Sequence, residues 1–456
     1  MKFSTRSNIS LIVVLLIYLL PLVSHAQTQM PAKVTMNMSL LQAQEYAYEY
    51  NYTLINSKYD VEIAQKMVKQ NTAIGLPQVN ASIDYLDYIE QPTSLIPGEF
   101  FGQPGQMIPL QFGTKYNATF KANATQLIYS GQYLVGLQTA KAFLETAKEK
   151  NIKDKIDIRD RVADTYIMLL VNDEAIKILD SLYKIVIRQV EEIRISFQNG
   201  MIEDLDVDQA ELNKSDLEAR LTDAQNNRNI IYANLKFLIG LKDNQELSLT
   251  DDLGFFLSQV DKEALINQPF DYNKNIDYLY MKKGQYLVFM QYKLAKTAYQ
   301  PSLLAFMAFS ENAQRNEWNF FQSNQSWFRT VNWGVSLSIP IWSSGSRKYS
   351  VDQARLNYAK SKVTEEQTKV ALQLAVETSR KDFNNAYFVY QNKKQGFATA
   401  VKIFQKTSIK YKEGVASSTD LNQRYNQLLM ANSDYMQSMY NVLRMKIQLT
   451  KLLEKF

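Results

Sequence analysis

The chain has 456 residues, with 51 Lys and Arg against 46 Asp and Glu, a formal net charge of +5, one histidine and no cysteine. The histidine, His25, lies in an export signal, so the exported chain holds neither His nor Cys. That excludes Cys or His nucleophile–base pairs, thiolate zinc sites and imidazole ligands. No cofactor or metal is expected, carboxylate chemistry is the main enzymatic option left, and the near balance of charge gives no reason to expect nucleic acid.

The signal occupies residues 1–26. Lys2 and Arg6 precede the apolar run "ISLIVVLLIYLLPLV", and "SHA" before Gln27 is a small-x-small cleavage site. No cysteine follows it to carry a lipid. An export signal without disulfides fits a bacterial envelope. Next come two segments of period-two alternation. In 79–87, Val79, Ala81, Ile83 and Tyr85 oppose Asn80, Ser82 and Asp84. In 116–125, Tyr116, Ala118, Phe120, Ala122 and Ala124 oppose Asn117, Thr119, Lys121, Asn123 and Thr125. Each reads as a strand with one apolar and one small polar face. The intervening "EQPTSLIPGEFFGQPGQMIPLQ" reads as a loop.

No proline occurs between 109 and 269, or after 340, so both stretches have room for very long helices. From Gly131 to Gln198 such a helix runs on the order of 100 Å. Ala175, Leu179, Leu182, Val186, Val190, Ile193 and Phe197 form a coiled-coil seam along it. Lys184, Arg188, Glu191, Glu192 and Arg194 lie between them and rule out a membrane-spanning helix. Gly200 then marks a turn, and 203–239 returns as a second helix. Residues 241–264 read as a linking, equatorial segment.

The same order begins again from 265: short helix, strand at 303–310, loop, strand at 331–341, long helix from Gly345 to Glu413, glycine turn at Gly414, and helix at 417–455. The strand at 303–310 is the weaker, because Leu304 and Phe306 interrupt its polar face. The loop "ENAQRNEWNFFQSNQSW" holds Trp318, Phe320, Phe321 and Trp327, followed by Phe328. These aromatics read either as an interfacial girdle or as packing of the outer loop. The two turns share a motif. "FQNGMIEDLDVDQ" (197–209) and "YKEGVASSTDLNQ" (411–423) both place an aromatic three before Gly, Asp six after and Gln nine after. The chain is a duplication, residues 27–240 and 265–456, and the period defines the fold.

Strands of this kind suit an outer-membrane barrel with a wet lumen. Four strands cannot close one, and an open edge in lipid leaves unpaired backbone groups costing several kcal/mol each. The chain must therefore share a barrel with copies of itself. Three copies of four strands make twelve.

With the tip motif repeated, the helix-to-strand junctions "IGLPQV" and "AYQPSL" and the strand exit "IPIWSSGS", nearly the whole exported chain resembles the TolC-like outer-membrane efflux proteins. The resemblance implies a mixed α/β membrane protein: a trimeric 12-stranded outer-membrane β-barrel continuing into a long periplasmic α-helical barrel. It implies an exit duct of a tripartite efflux or type I secretion system in a Gram-negative outer membrane, exporting small molecules or polypeptides and catalysing nothing. The implied partners are a periplasmic membrane-fusion adaptor, an inner-membrane transporter and outer-membrane lipid, with adaptor docking at the tip turns, Gly200 and Gly414.

Further expectations come position by position. Asp420 matches the first of two acidic positions ringing the closed entrance. The second falls at Gln423, which implies a single acidic ring. Asp206 and Tyr411 match a latch between hairpins, and the basic partner expected two residues after Gly414 is Ala416, so the latch is either weaker or built differently. The competing readings are plainer. Both Asp residues lie near helix starts, where acids satisfy free N–H groups, and Phe197 and Tyr411 end apolar stripes. Two other functions fit the composition. One is a periplasmic coiled-coil adaptor or scaffold, which the alternating strands oppose. The other is a carboxylate hydrolase, which needs two converging acids.

Overall fold

A computed structural model describes residues 34–242 and 244–453; the export signal lies outside the described residues. Four strands form one antiparallel sheet: β2 (Gln78–Asp87), β5 (Tyr116–Ser130), β7 (Ser302–Arg315) and β8 (Phe328–Ser338), in the order β2-β5-β7-β8. Both outer strands have one unpaired edge. Two short parallel strands, β1 (Val34–Met38) and β6 (Gln245–Leu249), pair separately. A small hairpin, β3 (Thr93–Pro97) and β4 (Met107–Gln111), stands between β2 and β5.

The register sorts side chains as the alternation predicts. Val79, Ala81, Ile83 and Tyr85 face Ala124, Ala122, Phe120 and Ala118 across the pair, while Asn80 faces Asn123 and Ser82 faces Lys121. On β7 and β8 the apolar face continues through Phe309↔Val331, Met307↔Trp333 and Ala305↔Val335. Lys121 and Asp84 pair at 3.1 Å on the polar face. Phe306, an apparent fault on that face, lies opposite Gly334, where an added Cβ would meet its ring at 2.8 Å. The aromatic thus covers a gap that the glycine leaves.

Four sequence readings shift. β8 runs from Phe328 to Ser338 and not over 331–341, ending before Pro340, which has no N–H to give a ladder. β5 runs on to Ser130 through an irregularity between Leu127 and Tyr129, which scrambles the alternation there. β7 extends to Arg315, into the stretch read as loop. The other stretch read as loop holds the β3–β4 hairpin and a 3-10 turn at Gly98–Phe101. Its prolines suggest irregular chain, yet a two-stranded ribbon consists only of edges, where proline is tolerated.

Nine helices occur among the described residues: α1 (Leu40–Tyr50), α2 (Tyr52–Ala73), α3 (Gly131–Gln198), α4 (Asp204–Ile239), α5 (Leu253–Ser258), α6 (Lys262–Asn267), α7 (Ile276–Lys296), α8 (Ser346–Lys412) and α9 (Ser418–Leu453). The long helices α3 and α8 have 68 and 67 residues; α4 and α9 have 36 each. α3 packs against α4 and α9 towards the tips and against α2 and α7 towards the sheet, and α8 packs against α9 and α7. The result is four columns, α4 with α2, α3, α9 with α7, and α8. No helix among the described residues is long and apolar enough to cross a membrane.

Two asparagines join the stacked pairs. Asn51 Oδ1 accepts from Thr53 N and Leu54 N, capping α2, while its Nδ2 donates to Leu238 O near the end of α4 at 2.6 Å. Asn275 Oδ1 accepts from Asp277 N, capping α7, and its Nδ2 donates to Leu452 O near the end of α9 at 3.3 Å. Both side chains are buried. One residue type satisfies orphan groups on two helix ends at once, at equivalent places in the two halves. Asn51→Ala or Asn275→Ala should each destabilise the helical domain by about 2–3 kcal/mol, a lost cap plus an unpaired buried carbonyl. Chemical denaturation of the purified protein measures this.

The main core lies where these columns meet. Tyr166 is fully buried there, its hydroxyl donating to Met38 O at 3.0 Å, against Leu54, Leu235, Phe383 and Leu443 among others. A second core holds the hairpin ends together and includes Leu182, Val186, Val190, Ile193, Phe404, Tyr425 and Leu428.

Candidate functional site: the paired hairpin tips

The two glycine turns are the same structure. At the first, Gly200 N donates to Phe197 O at 2.8 Å and Met201 N to Ser196 O at 3.0 Å. At the second, Gly414 N donates to Tyr411 O at 3.0 Å and Val415 N to Lys410 O at 2.8 Å. Each is a Schellman motif, closing the last carbonyls of a long helix. Gly200 and Gly414 have φ of +70° and +71°. Nothing lies within 4 Å of a Cβ built on either, so the left-handed backbone, and not crowding, requires glycine there. Met201 and Val415, the next residues, stand exposed at the tips.

The aspartates that the motif aligns part company. Asp420 is exposed and turns back on its own helix. Its Oδ2 accepts from Ser417 N at 3.2 Å and from Ser417 Oγ at 2.8 Å, and Ser417 Oγ accepts from Asp420 N at 3.1 Å. That is a capping box with aspartate at the third helical position. These bonds to Ser417, with Arg424 assisting, hold its carboxyl below the ordinary Asp range. Asp206 caps nothing in this way, since Glu203 opens α4 without a side-chain cap. It is half-buried and, with Tyr411, lines a cleft of about 610 Å³ between the hairpins. Burial first, and then the Asp206 charge, raise the Tyr411 phenol above its usual range. Tyr411 Oη is buried without a hydrogen-bond partner.

Gln423 is exposed one turn beyond Asp420, and Ala416 lines the same cleft as Asp206. Phe197, expected to pack, is 42% exposed, whereas Tyr411 packs against the tip core. Two contacts between the hairpins are not legible in the sequence. Lys412 Nζ meets Glu192 Oε1 at 2.7 Å, and Tyr425 Oη donates to Asn213 O at 3.0 Å. The one available signal is the difference between the copies, since Lys412 stands where the first motif has Gln198. Among the described residues, no group of three or more His, Cys, Asp or Glu side chains is placed to hold a metal.

A four-stranded sheet with one apolar and one polar face, running into paired helical hairpins in each of two repeats, defines a class: channels that cross an outer membrane and extend through the periplasm. The sequence profile of the outer membrane efflux proteins matches residues 43–241 and 284–454, and the chain belongs to that family. It is an outer-membrane efflux channel of a Gram-negative cell, with a periplasmic extension. Its duplicated four-stranded sheet and long helical hairpins are the fold of these channels.

Solved structures share this fold. The transmembrane channel CusC superposes with a TM-score of 0.72 at 14% identity, over 93% of this chain and 94% of CusC. The CmeC outer membrane channel of Campylobacter jejuni gives 0.69 at 16% identity, over 91% and 85%. The open-state MtrE outer membrane channel of Neisseria gonorrhoeae gives 0.68 at 16% identity, over 91% and 88%. No curated protein sequence matches the chain significantly.

Proposed function

We propose that three copies close one barrel and one helical tunnel, and that the tips at Gly200 and Gly414 meet a periplasmic membrane-fusion adaptor coupled to an inner-membrane transporter. Small molecules or polypeptides then pass from the tips to the cell exterior. Asp420 supplies an acidic ring at the tip entrance, with Gln423 leaving that ring single. Asp206, Tyr411 and the Lys412–Glu192 pair hold the hairpins in the resting arrangement. The protein works as a duct and carries out no catalysis.

The observation that carries this reading is a pair of open flanks. On one side are the free edge of β2 and the column of α4 and α2, with Leu205, Leu212, Ile230, Phe237, Tyr52 and Tyr59 exposed. On the other are the free edge of β8 and helix α8. There Tyr349, Leu356, Val363 and Val370 recur every seventh residue, each 63% or more exposed. A heptad stripe of this kind is a seam awaiting a second helix. Sheet edges cannot stay unpaired in lipid, so both flanks call for the same partner, the opposite flank of another copy. Light scattering of detergent-extracted protein should give three chains per particle. A well-folded monomer would overturn the reading.

A further inference from the structure

At the end of the sheet away from the helices, β7 stops at Arg315 and a turn at 316–327 leads into β8. The register shows where the apolar face gives out there. One rung across it, Ala81, Ala122, Phe309 and Val331, carries no polar group. The next outward brings the first charges, Glu311 and Arg329, which pair at 2.8 Å. The third holds Tyr85, Ala118 and Ala313. Rungs on one face are about 7 Å apart, two residues of strand. The band of apolar surface thus ends within a step or two, at the level of Tyr85.

The turn does not stand clear of this end. It folds back across the same apolar face, over β5 and β2. Phe320 is buried, edge-on to the Tyr85 ring at 6.0 Å and 6.0 Å from the Arg315 guanidinium, and by register both partners lie on that face. Ala313 is fully buried, although Val331, two rungs below on the same face, is exposed. Asn316 Oδ1 accepts from Lys115 N at 3.4 Å, just before β5 begins, and Arg315 Nη2 donates to Ser326 O to close the turn. Trp318 packs edge-on to Phe320 at 6.5 Å, and Phe321 lies 5.8 Å from Trp318. Yet these two remain 62% and 87% exposed. The aromatics divide: Phe320 fastens the turn to the sheet, and its neighbours are left uncovered outside it.

We infer that this turn is a lipid anchor: Phe320 presses it onto the outer face of its own sheet, and Trp318 and Phe321 enter the outer leaflet of the bilayer at headgroup level. The inference rests on the reading that the apolar face of the sheet meets lipid. The occupant follows from continuity, since the turn lies on that face at the height where apolar surface gives way to charge. Indole and other aromatic rings favour this boundary between hydrocarbon and water, whereas rings this large and this exposed are unfavourable in water alone. The anchor therefore fixes the height of the barrel in the membrane at its outer end, where the polar residues of the sheet begin.

The sequence has no cysteine outside any variant introduced, so a single nitroxide spin label can be placed at will. Phe321→Cys, labelled and reconstituted into phospholipid vesicles, is compared with Trp333→Cys on the apolar face and Gln103→Cys at the exposed turn of the β3–β4 hairpin. Power saturation measures the accessibility of each label to oxygen, which partitions into lipid, and to a nickel chelate, which stays in water. The ratio of oxygen to nickel accessibility at 321 should match that at 333 and be reversed at 103. Trp318→Cys reads the same surface should Phe321→Cys fail to fold. A ratio at 321 like that at 103, with 333 in lipid, would overturn the anchor and leave the apolar face as assigned. A label at 321 shielded from both reagents would show that protein covers it, which also overturns the anchor. A label at 333 that favours nickel would remove the face assignment and the anchor together.

Discussion

Lysine at Val331 should prevent the channel from assembling in the outer membrane, whereas lysine at the next residue, Asn332, should be tolerated. Val331 shares a face with Trp333 and Val335 and pairs with Phe309; Asn332 shares the other face and pairs with Ala308. The apolar face of the sheet is exposed in the single chain, with Val79, Ile83, Val331, Trp333 and Val335 all at the surface. In a closed barrel it is the face that meets lipid. A lysine on the lipid face costs about 2–4 kcal/mol near the bilayer midplane and little in a wet lumen. Each trimer carries the substitution three times, so the penalty at Val331 is comparable to the whole stability of many domains. Trimer yield from outer-membrane fractions measures the outcome. Equal yields from the two variants would show that the faces are assigned the wrong way round or that β8 does not face lipid.

That contrast is legible in the sequence alone, because strand periodicity is local: each residue announces its face by its neighbours two places away. The tip turns are legible for the same reason, the glycine and the aspartate repeating at fixed offsets. Contacts between segments far apart in the chain are not. β1 and β6 pair although some two hundred residues separate them, and five residues each of "VTMNM" and "QELSL" make too short a pattern to see. Asn51 and Asn275 are equivalent joints, yet an asparagine before a helix ordinarily signals only a cap. The second bond, to the end of another helix, exists only once the columns stack. The β3–β4 hairpin hides behind its prolines. At the tips, the motif makes Asp206 and Asp420 look equivalent. What separates them is Ser417, which the second copy has and the first replaces with Glu203; the serine engages Asp420 in a cap and leaves Asp206 as the carboxylate between the hairpins.

This division sets the expected behaviour of the entrance. Asp420 ionises more readily than an ordinary aspartate because the cap bonds stabilise its charged form. The sign follows: its cap contribution is complete above the ordinary Asp value and is lost as pH falls through the lower native one. In the proposed ring, three such carboxylates near one axis repel and draw their titration upward. Asp420→Asn keeps an oxygen for Ser417 while removing the charge, so it separates ring from cap. In single-channel recordings it should weaken block by multivalent cations added at the tip side and reduce cation selectivity, leaving resting conductance unchanged. The hairpin contacts should respond the other way. Lys412–Glu192 is an exposed pair, worth about 0.2–1 kcal/mol in one chain. Broken in three chains at once, it biases the tips towards opening by up to about 3 kcal/mol. Lys412→Glu should therefore raise resting conductance, and adding Glu192→Lys should restore it, because the swapped pair has the same attraction and the same net charge. If the double variant conducts as much as the single one, the pair does not hold the hairpins. Unchanged cation block in Asp420→Asn would leave Asp420 as the cap of its own helix and nothing more.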